Sequence, residues 1–242
     1  MELGLLTYNI LFNRALLELG STIKELKPAV ICFQEIETLD ENLLTFTKFD
    51  YELADSSNSF IKFGKIFGLA TYYDPNQVTV LNSESFDLPR SVLEAFLVIL
   101  RGGNNPRSVL KTEFLIKKTK KRVTVYNIHL SPWGSNGVRL KQIYETFESL
   151  ELPSTNNPII IAGDFNFPYG RKKLEEMIRQ YSLKEATDSL FFTLESKFLK
   201  IIPVRLKLDY ILYRSLRLLE TKKVELRHSD HFPIYSRFST LK

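Results

Sequence analysis

Apolar runs of strand length recur along the chain, at residues 3–9, 29–35, 67–72, 78–81, 109–116, 122–130, 158–163, 208–213 and 233–238. Several are β-branched or aromatic and end at polar or turn-forming residues, as strands do. Between them lie segments with apolar residues three and four apart. Residues 14–26 carry Leu16, Leu17, Leu19, Ile23 and Leu26. Residues 138–150 carry Leu140, Ile143, Phe147 and Leu150, and residues 172–181 carry Leu174, Met177 and Ile178. These spacings predict three amphipathic helices. Residues 91–100 are ambiguous and lean towards helix. The order is β-α-β-α, a strand-rich middle, β-α-β-α and strands to the end. About nine or ten strands are too many for one simple parallel sheet. Two sheets packed face to face, with helices outside, bury such strands on both faces. The expectation is one α/β sandwich domain spanning residues 1–242.

Composition narrows the class without naming a function. The chain has 242 residues, 44% hydrophobic and 25% charged, the balance of a globular protein with a sizeable core. A single cysteine, Cys32, excludes an intramolecular disulfide and a multi-cysteine zinc site. No apolar run reaches the ~18 residues of a membrane span. The opening residues lack a basic start and a small-residue cleavage site, so no signal peptide is expected. The expectation is a cytoplasmic, or in a eukaryote nuclear, protein that is a monomer. Lys and Arg number 33 against 28 Asp and Glu, a net charge of +5, which tilts weakly towards polyanionic partners. Residues 117–122, all but one of them basic, read as a solvated hairpin turn or a nucleic-acid contact.

The chemistry lies at the strand ends. The runs terminate in Tyr8-Asn9, Gln34-Glu35, Asn127-Ile128-His129, Gly163-Asp164-Phe165-Asn166, Leu208-Asp209 and Ser229-Asp230-His231. In layered α/β proteins such ends gather at one edge with the functional loops. Glu35 and Asp230 are hard oxygen ligands and Asn9 a neutral one, a set suited to Mg²⁺ or Mn²⁺. Asp164 is placed to orient or deprotonate a water. Asp209 is a candidate partner to orient His231, and His129 is a candidate to stabilise charge on a phosphate. The parts add up to metal-assisted hydrolysis of a phosphate ester. Each residue also has a plainer reading, as a turn former, an Asx turn or a buried ion-pair partner.

The ordered set Thr7-Tyr8-Asn9, Phe33-Gln34-Glu35, Asn127-Ile128-His129-Leu130, Gly163-Asp164-Phe165-Asn166, Leu208-Asp209-Tyr210 and Ser229-Asp230-His231-Phe232-Pro233 resembles the endonuclease/exonuclease/phosphatase superfamily, the DNase I-like fold. The resemblance runs from the first strand to the last. It implies a four-layer α/β sandwich of two mixed β-sheets flanked by helices. It implies Glu35 as the main metal ligand, assisted by Asn9 and Asp230. It implies Asp164 as the residue that positions the nucleophilic water and Asn166 as a phosphate contact. Asp209 and His231 resemble the pair that engages the scissile phosphate, and His129 the second histidine of the DNase I and sphingomyelinase branches. In DNase I-type members an acidic residue supports that histidine; Asp74 and Glu84 are the nearby candidates here. Asn9 is followed by Ile10, Leu11 and Phe12, where abasic-site endonucleases carry an acidic residue.

The expected activity is that of a divalent-metal-dependent phosphodiesterase, with Mg²⁺ or Mn²⁺ as cofactor and DNA or RNA as substrate. The alternatives are a phospholipid or inositol-phosphate phosphoesterase with peripheral membrane contact, and a catalytically silent nucleic-acid-binding module. Arg101, Arg107, Trp133 and Arg171 are the candidate substrate contacts. Residues 198–204, apolar around Lys200, read equally as core or as a surface for a membrane or nucleic acid.

Overall fold

The computed structural model describes residues 2–16, 18–62, 64–89, 96, 107–132, 135–150, 157–198, 201–226 and 228–240. In chain order the elements are β1 (Glu2–Asn9), α1 (Leu19–Leu26), β2 (Val30–Glu37), α2 (Asp40–Leu43) running into a 3₁₀ turn (Leu44–Phe49), β3 (Glu52–Lys62), β4 (Lys65–Tyr73), β5 (Val78–Asp87), β6 (Ser108–Ile116) and β7 (Lys121–His129). Then follow α3 (Asn136–Glu148), β8 (Ile159–Asp164), α4 (Arg171–Gln180), β9 (Lys184–Glu185), β10 (Leu194–Phe198), β11 (Ile202–Leu206), β12 (Asp209–Arg214), β13 (Leu216–Lys223) and β14 (Ile234–Thr240). Among the described residues they build two six-stranded sheets, ordered β13-β14-β1-β2-β4-β3 and β5-β6-β7-β8-β12-β9, and a separate hairpin of β10 and β11. Each sheet holds one parallel pair, β1 with β2 and β7 with β8, among antiparallel ones, so both are mixed.

Strand alternation sorts the apolar residues into three cores. Leu3 and Leu5 of β1, Val30 and Cys32 of β2, Val123 and Val125 of β7, Ile160 and Ala162 of β8 and Ile211 of β12 meet between the sheets. The opposite faces of β1 and β2 carry Leu6, Tyr8, Ile31 and Phe33, which pack with Leu19 and Ile23 of α1 and Phe46. Those of β7 and β8 carry Tyr126, Ile128, Ile159 and Ile161, which pack with Ile143 and Phe147 of α3 and Leu174 and Ile178 of α4. The result is the expected four-layer sandwich. Because side chains alternate with a period of two, the inward stripe of each central strand, continued to its end, reaches Asn9, Gln34, Asn127 and His129, Asp164 and Asp209. Polar residues at the end of an apolar inward stripe are thereby delivered to one edge of the inter-sheet space.

The apolar runs locate the central strands to within a residue or two. The strands they missed stand at sheet margins or outside the sheets: β3 and β13 edge one sheet, β9 edges the other, and β10 and β11 project as a hairpin. Edge strands carry polar and charged residues that blunt unwanted pairing, and β3 (ELADSSNSFIK) does so almost throughout. The first helix is shorter than its apolar spacing predicts. Leu11, Phe12 and Asn13 are all left-handed, with φ of 46°, 55° and 66°, the chain stays in turn conformation through Leu16, and α1 starts only at Leu19. The 91–100 segment lies outside the described residues except for Phe96. The basic 117–122 turn joins β6 to β7 at the start of β7, whereas His129 ends it. The length of β7 therefore puts that turn on the order of 25 Å from the polar strand ends, too far to contact a reacting phosphate. Ile201 and Ile202 of the hairpin are 81% and 54% exposed, so the 201–202 segment is surface and not core. Among the described residues no helix is long and apolar enough to cross a membrane.

One buried polar bridge ties the sheets together beneath the polar edge. Gln34 of β2 donates through Nε2 to Asn127 Oδ1 of β7 at 2.8 Å. Asn127 Nδ2 donates back to the Phe33 and Ala70 carbonyls at 3.1 and 3.0 Å. Both side chains are fully buried, so the bonds face no competition from water. Asn127→Ala should lower unfolding free energy by about 2–3 kcal/mol, because it strands buried donors and acceptors. Urea titration reads this as a lower midpoint at unchanged slope; an unchanged midpoint would remove the bridge from the fold's energetics.

Candidate active site

The site is built on adjacent strand ends. Asp164 sits opposite His129 in the parallel β7–β8 ladder and opposite Asp209 in the antiparallel β8–β12 ladder. Gly163 makes that close approach possible. It holds φ of +145°, and a Cβ there would lie 2.0 Å from the Ile128 carbonyl oxygen, so no other residue fits. Glu35 arrives differently. Simple alternation after Gln34 would turn it towards the helices. Instead the register shifts between Gln34 and Ile36, and Glu35 takes φ of 59°. This bulge turns its carboxylate back among the inward residues. Asn166, also left-handed at φ 48°, folds an Asx turn over Asp164, donating its backbone N–H to Asp164 Oδ1 at 2.9 Å. Strained backbone of this kind concentrates at functional sites.

Asp164 Oδ2 is the centre of the cluster. Asn9 Nδ2 and Asn166 Nδ2 each donate to it at 3.1 Å. His129 Nε2 lies 3.5 Å away and His231 Nε2 3.7 Å away. Asn9 Nδ2 also reaches Glu35 Oε1 at 3.3 Å, and His129 Nε2 lies 3.8 Å from that atom. Asn9 Oδ1 accepts the Leu11 N–H at 3.1 Å. Asn9 therefore faces the carboxylates with its donor, whereas the sequence pointed to its oxygen as a metal ligand. Asp230 stands close enough for its charge to raise Glu35, and Ser229 Oγ ties this loop to the Asn9 carbonyl at 2.8 Å. His231 Nδ1 and Asp209 Oδ2 are 2.8 Å apart. A backbone bridge from Leu194 to His231 fixes the loop to the base of the β10–β11 hairpin.

Burial and charge separate the titrating groups. Burial raises Asp164 to about 7, and the neighbouring Asp209 charge adds to the rise while His231 opposes it. Burial raises Glu35 too. Burial alone would lower His231, but the Asp209 and Asp164 charges outweigh it and push it up to about 10. His129, buried beside the charges of Arg107 and His231, is held well below its ordinary value. The two histidines thus differ in charge at neutral pH, with His231 an imidazolium and His129 neutral.

Seven of the eight expected catalytic and metal residues meet here through direct contacts: Asn9, Glu35, His129, Asp164, Asn166, Asp209 and His231. Asp230 joins through its charge and through Ser229. The expected substrate contacts fare differently. Arg101 and Trp133 lie outside the described residues. Arg171 departs from its expected role, because Glu185, Asp188 and Glu175 take its guanidinium at 2.7, 2.8 and 2.8 Å. Arg107 is buried and meets His129 Nδ1 at 3.2 Å. The proposed acidic partners of His129 are committed elsewhere: Asp74 accepts from Asn76 and Gln77, and Glu84 pairs with Lys111. Sequence reasoning missed Phe60, whose ring packs edge-on against His129 with centroids 6.0 Å apart, because it lies in an edge strand without an apolar pattern.

A four-layer sandwich whose inward strand ends gather carboxylates, asparagines and two histidines, one charged and one neutral, defines a phosphoesterase-type centre. The sequence matches the Endonuclease/Exonuclease/phosphatase family over residues 6–231, and the chain belongs to that family, whose members are phosphoesterase hydrolases. Among curated proteins none matches the sequence significantly. Solved structures share the fold at low identity. An endonuclease/exonuclease/phosphatase family protein from Bacteroides thetaiotaomicron superposes with a TM-score of 0.79 at 14% identity, covering 100% of this chain and 99% of the other. ANGEL2, a 2′,3′-cyclic phosphatase in complex with adenosine-2′,3′-vanadate, gives 0.76 at 15%, covering 98% and 95%. A mannosyl-6-phosphatase from Bacteroides thetaiotaomicron gives 0.73 at 17%, covering 98% and 99%.

Family members generally depend on a divalent metal, and the donors here fit one. Glu35 Oε2 is buried with no hydrogen-bond partner among the described residues, an acceptor left for a cation. Asp164 and Asp209 offer further carboxylate oxygens in the same cluster, whereas His231, which lies within 4.8 Å of both, carries a proton in place of a ligand lone pair.

The raised His231 carries a linkage consequence. The folded state binds its proton more tightly than the unfolded state. The stabilisation is therefore complete below the ordinary value of 6.5 and is lost as pH rises through about 10. The stability difference between wild type and His231→Gln should shrink across that window in denaturant titrations. A constant difference would show that the Asp209 and Asp164 charges do not hold the proton.

Proposed function

We propose that this chain is a divalent-metal-dependent phosphodiesterase acting on nucleic acid by in-line attack of water. The observation that carries the reading is the convergence on Asp164 Oδ2 of Asn9, Asn166, His129 and His231 within 3.1–3.7 Å, beside the unpartnered Glu35 oxygen. Glu35 and Asp230 would hold Mg²⁺ or Mn²⁺, which when bound neutralises charge on the phosphate. Asp164, poised near 7, accepts the proton of the attacking water. Asn9 and Asn166 hold its carboxylate in place. His231, charged and oriented by Asp209, stabilises the negative charge that builds on the phosphate oxygens. Nucleic acid as substrate is supported by the net charge of +5 and by the half-buried Phe12 and Phe60 next to the site. Their ring centroids are 6.0 Å apart, and Lys62 Nζ lies 3.6 Å from the Phe12 centroid, an aromatic and cationic edge suited to bases and backbone.

A lipid phosphoester is the second reading, favoured by the exposed Ile201 and Ile202 on the hairpin that is anchored at His231. The two readings separate in one panel: single- and double-stranded DNA, RNA, phospholipid vesicles and sugar phosphates, each with Mg²⁺, Mn²⁺ or EDTA. Nucleic-acid cleavage that EDTA abolishes is expected, and Asp164→Asn should cut turnover by ~10²–10⁴-fold in a folded protein. Undiminished turnover in Asp164→Asn would overturn the mechanism. Hydrolysis of vesicles alone would replace the substrate.

A further inference from the structure

His129 is held from the side facing away from the cluster. Its Nδ1 lies 3.2 Å from Arg107 Nη1. A guanidinium donates and cannot accept, so Nδ1 is the acceptor and bears a lone pair. The ring proton is then on Nε2, the nitrogen that faces Asp164 Oδ2 at 3.5 Å and Glu35 Oε1 at 3.8 Å. Arg107 is itself fixed. It is only 8% exposed, its guanidinium carbon stands 4.7 Å from the Phe60 ring centroid, and Phe60 packs edge-on against His129. Its backbone carbonyl accepts the Leu88 N–H at 2.6 Å, and the ladder pair Val109–Ile128 sets it beside the end of β7. Phe60 from β3, Arg107 ahead of β6 and His129 at the end of β7 form one packed unit.

We propose that Arg107 is a positioning residue that fixes the His129 ring and confines its proton to Nε2, so that a neutral imidazole presents an N–H donor to the scissile phosphate. A carboxylate partner would do the reverse. It would draw the proton to Nδ1 and leave Nε2 either a lone pair or part of an imidazolium. With arginine in that place His129 cannot serve as a base through Nε2. It acts as an uncharged hydrogen-bond donor, while His231 and Asp209 supply the cationic partner. The assignment of a phosphate to this N–H rests on the phosphoesterase reading; the assignment of the proton does not.

The test is a long-range nitrogen-15 to proton spectrum of the histidine rings in the free enzyme near neutral pH. The chain has three histidines, and His129→Gln identifies the signals. The expected result for His129 is an unprotonated Nδ1 and a protonated Nε2. A protonated Nδ1, alone or with Nε2, overturns the proposal, and this wild-type measurement needs no variant of Arg107 to fold. In Arg107→Met the His129 signals should move towards averaging between tautomers, with kcat about tenfold lower and KM little changed. Arg107→Lys, which keeps a donor, should restore part of both. A raised KM with unaltered His129 signals would instead make Arg107 a direct substrate contact and sink the proposal. Failure of the wild-type enzyme on every phosphate ester would refute the phosphoesterase reading and leave the spectrum to decide the proton's place.

Discussion

The 2.8 Å hydrogen bond between Gln34 and Asn127 crosses from one sheet to the other at the last layer before the polar edge. On one side of it the inter-sheet space is filled by Val30, Cys32, Val123 and Val125. On the other stand Glu35 and His129, one and two residues further along the same strands. Apolar packing is non-directional and leaves two sheets free to slide by small amounts. A buried, directional hydrogen bond between side chains fixes their relative position. The 3.8 Å approach of His129 to Glu35 depends on that fixing, since the two residues belong to different sheets.

Electrostatics then decide what this edge can hold. Glu35, Asp164, Asp209 and Asp230 bring four carboxylates to a largely water-excluded place, where unpaired charge is costly. The structure answers in three ways. Asparagine amides from Asn9 and Asn166 cap Asp164. Asp209 shares a proton-bearing contact with His231, and that proton is held far more tightly than in a free histidine. Glu35 keeps one oxygen without a hydrogen-bond partner among the described residues. That oxygen, beside the remaining carboxylate charge, is an acceptor a divalent cation would satisfy.

Legibility in the sequence followed burial. The central strands β1, β2, β7, β8 and β12 are covered on both faces, so they are rich in apolar residues and have polar ones at one end. Those ends were the site residues. Edge strands β3 and β13 answer to solvent and to the avoidance of further pairing, and their residues carry no such pattern. Phe60 was invisible for that reason, and with it the packing that buries Arg107. The shortened α1 follows a stretch of turn, residues 11–16, that opens with three left-handed residues.

The sequence by itself determined the layers, the central strands and the residue types at their ends, because burial writes a period of two or of 3.6 into the chain. It also carried the ordered residues by which the family is recognised. The tertiary structure decided how those residues face one another. A bulge turned Glu35 inward against strand parity. Asn9 met its neighbours with nitrogen and not oxygen. Three carboxylates claimed Arg171, neighbours in its own turn claimed Asp74 and Lys111 claimed Glu84, and Arg107 took the place beside His129 that an acidic residue was expected to fill. The Glu35 bulge is a local backbone reversal and the Arg107–His129 contact joins residues 22 positions apart, and no short-range pattern of polarity encodes either.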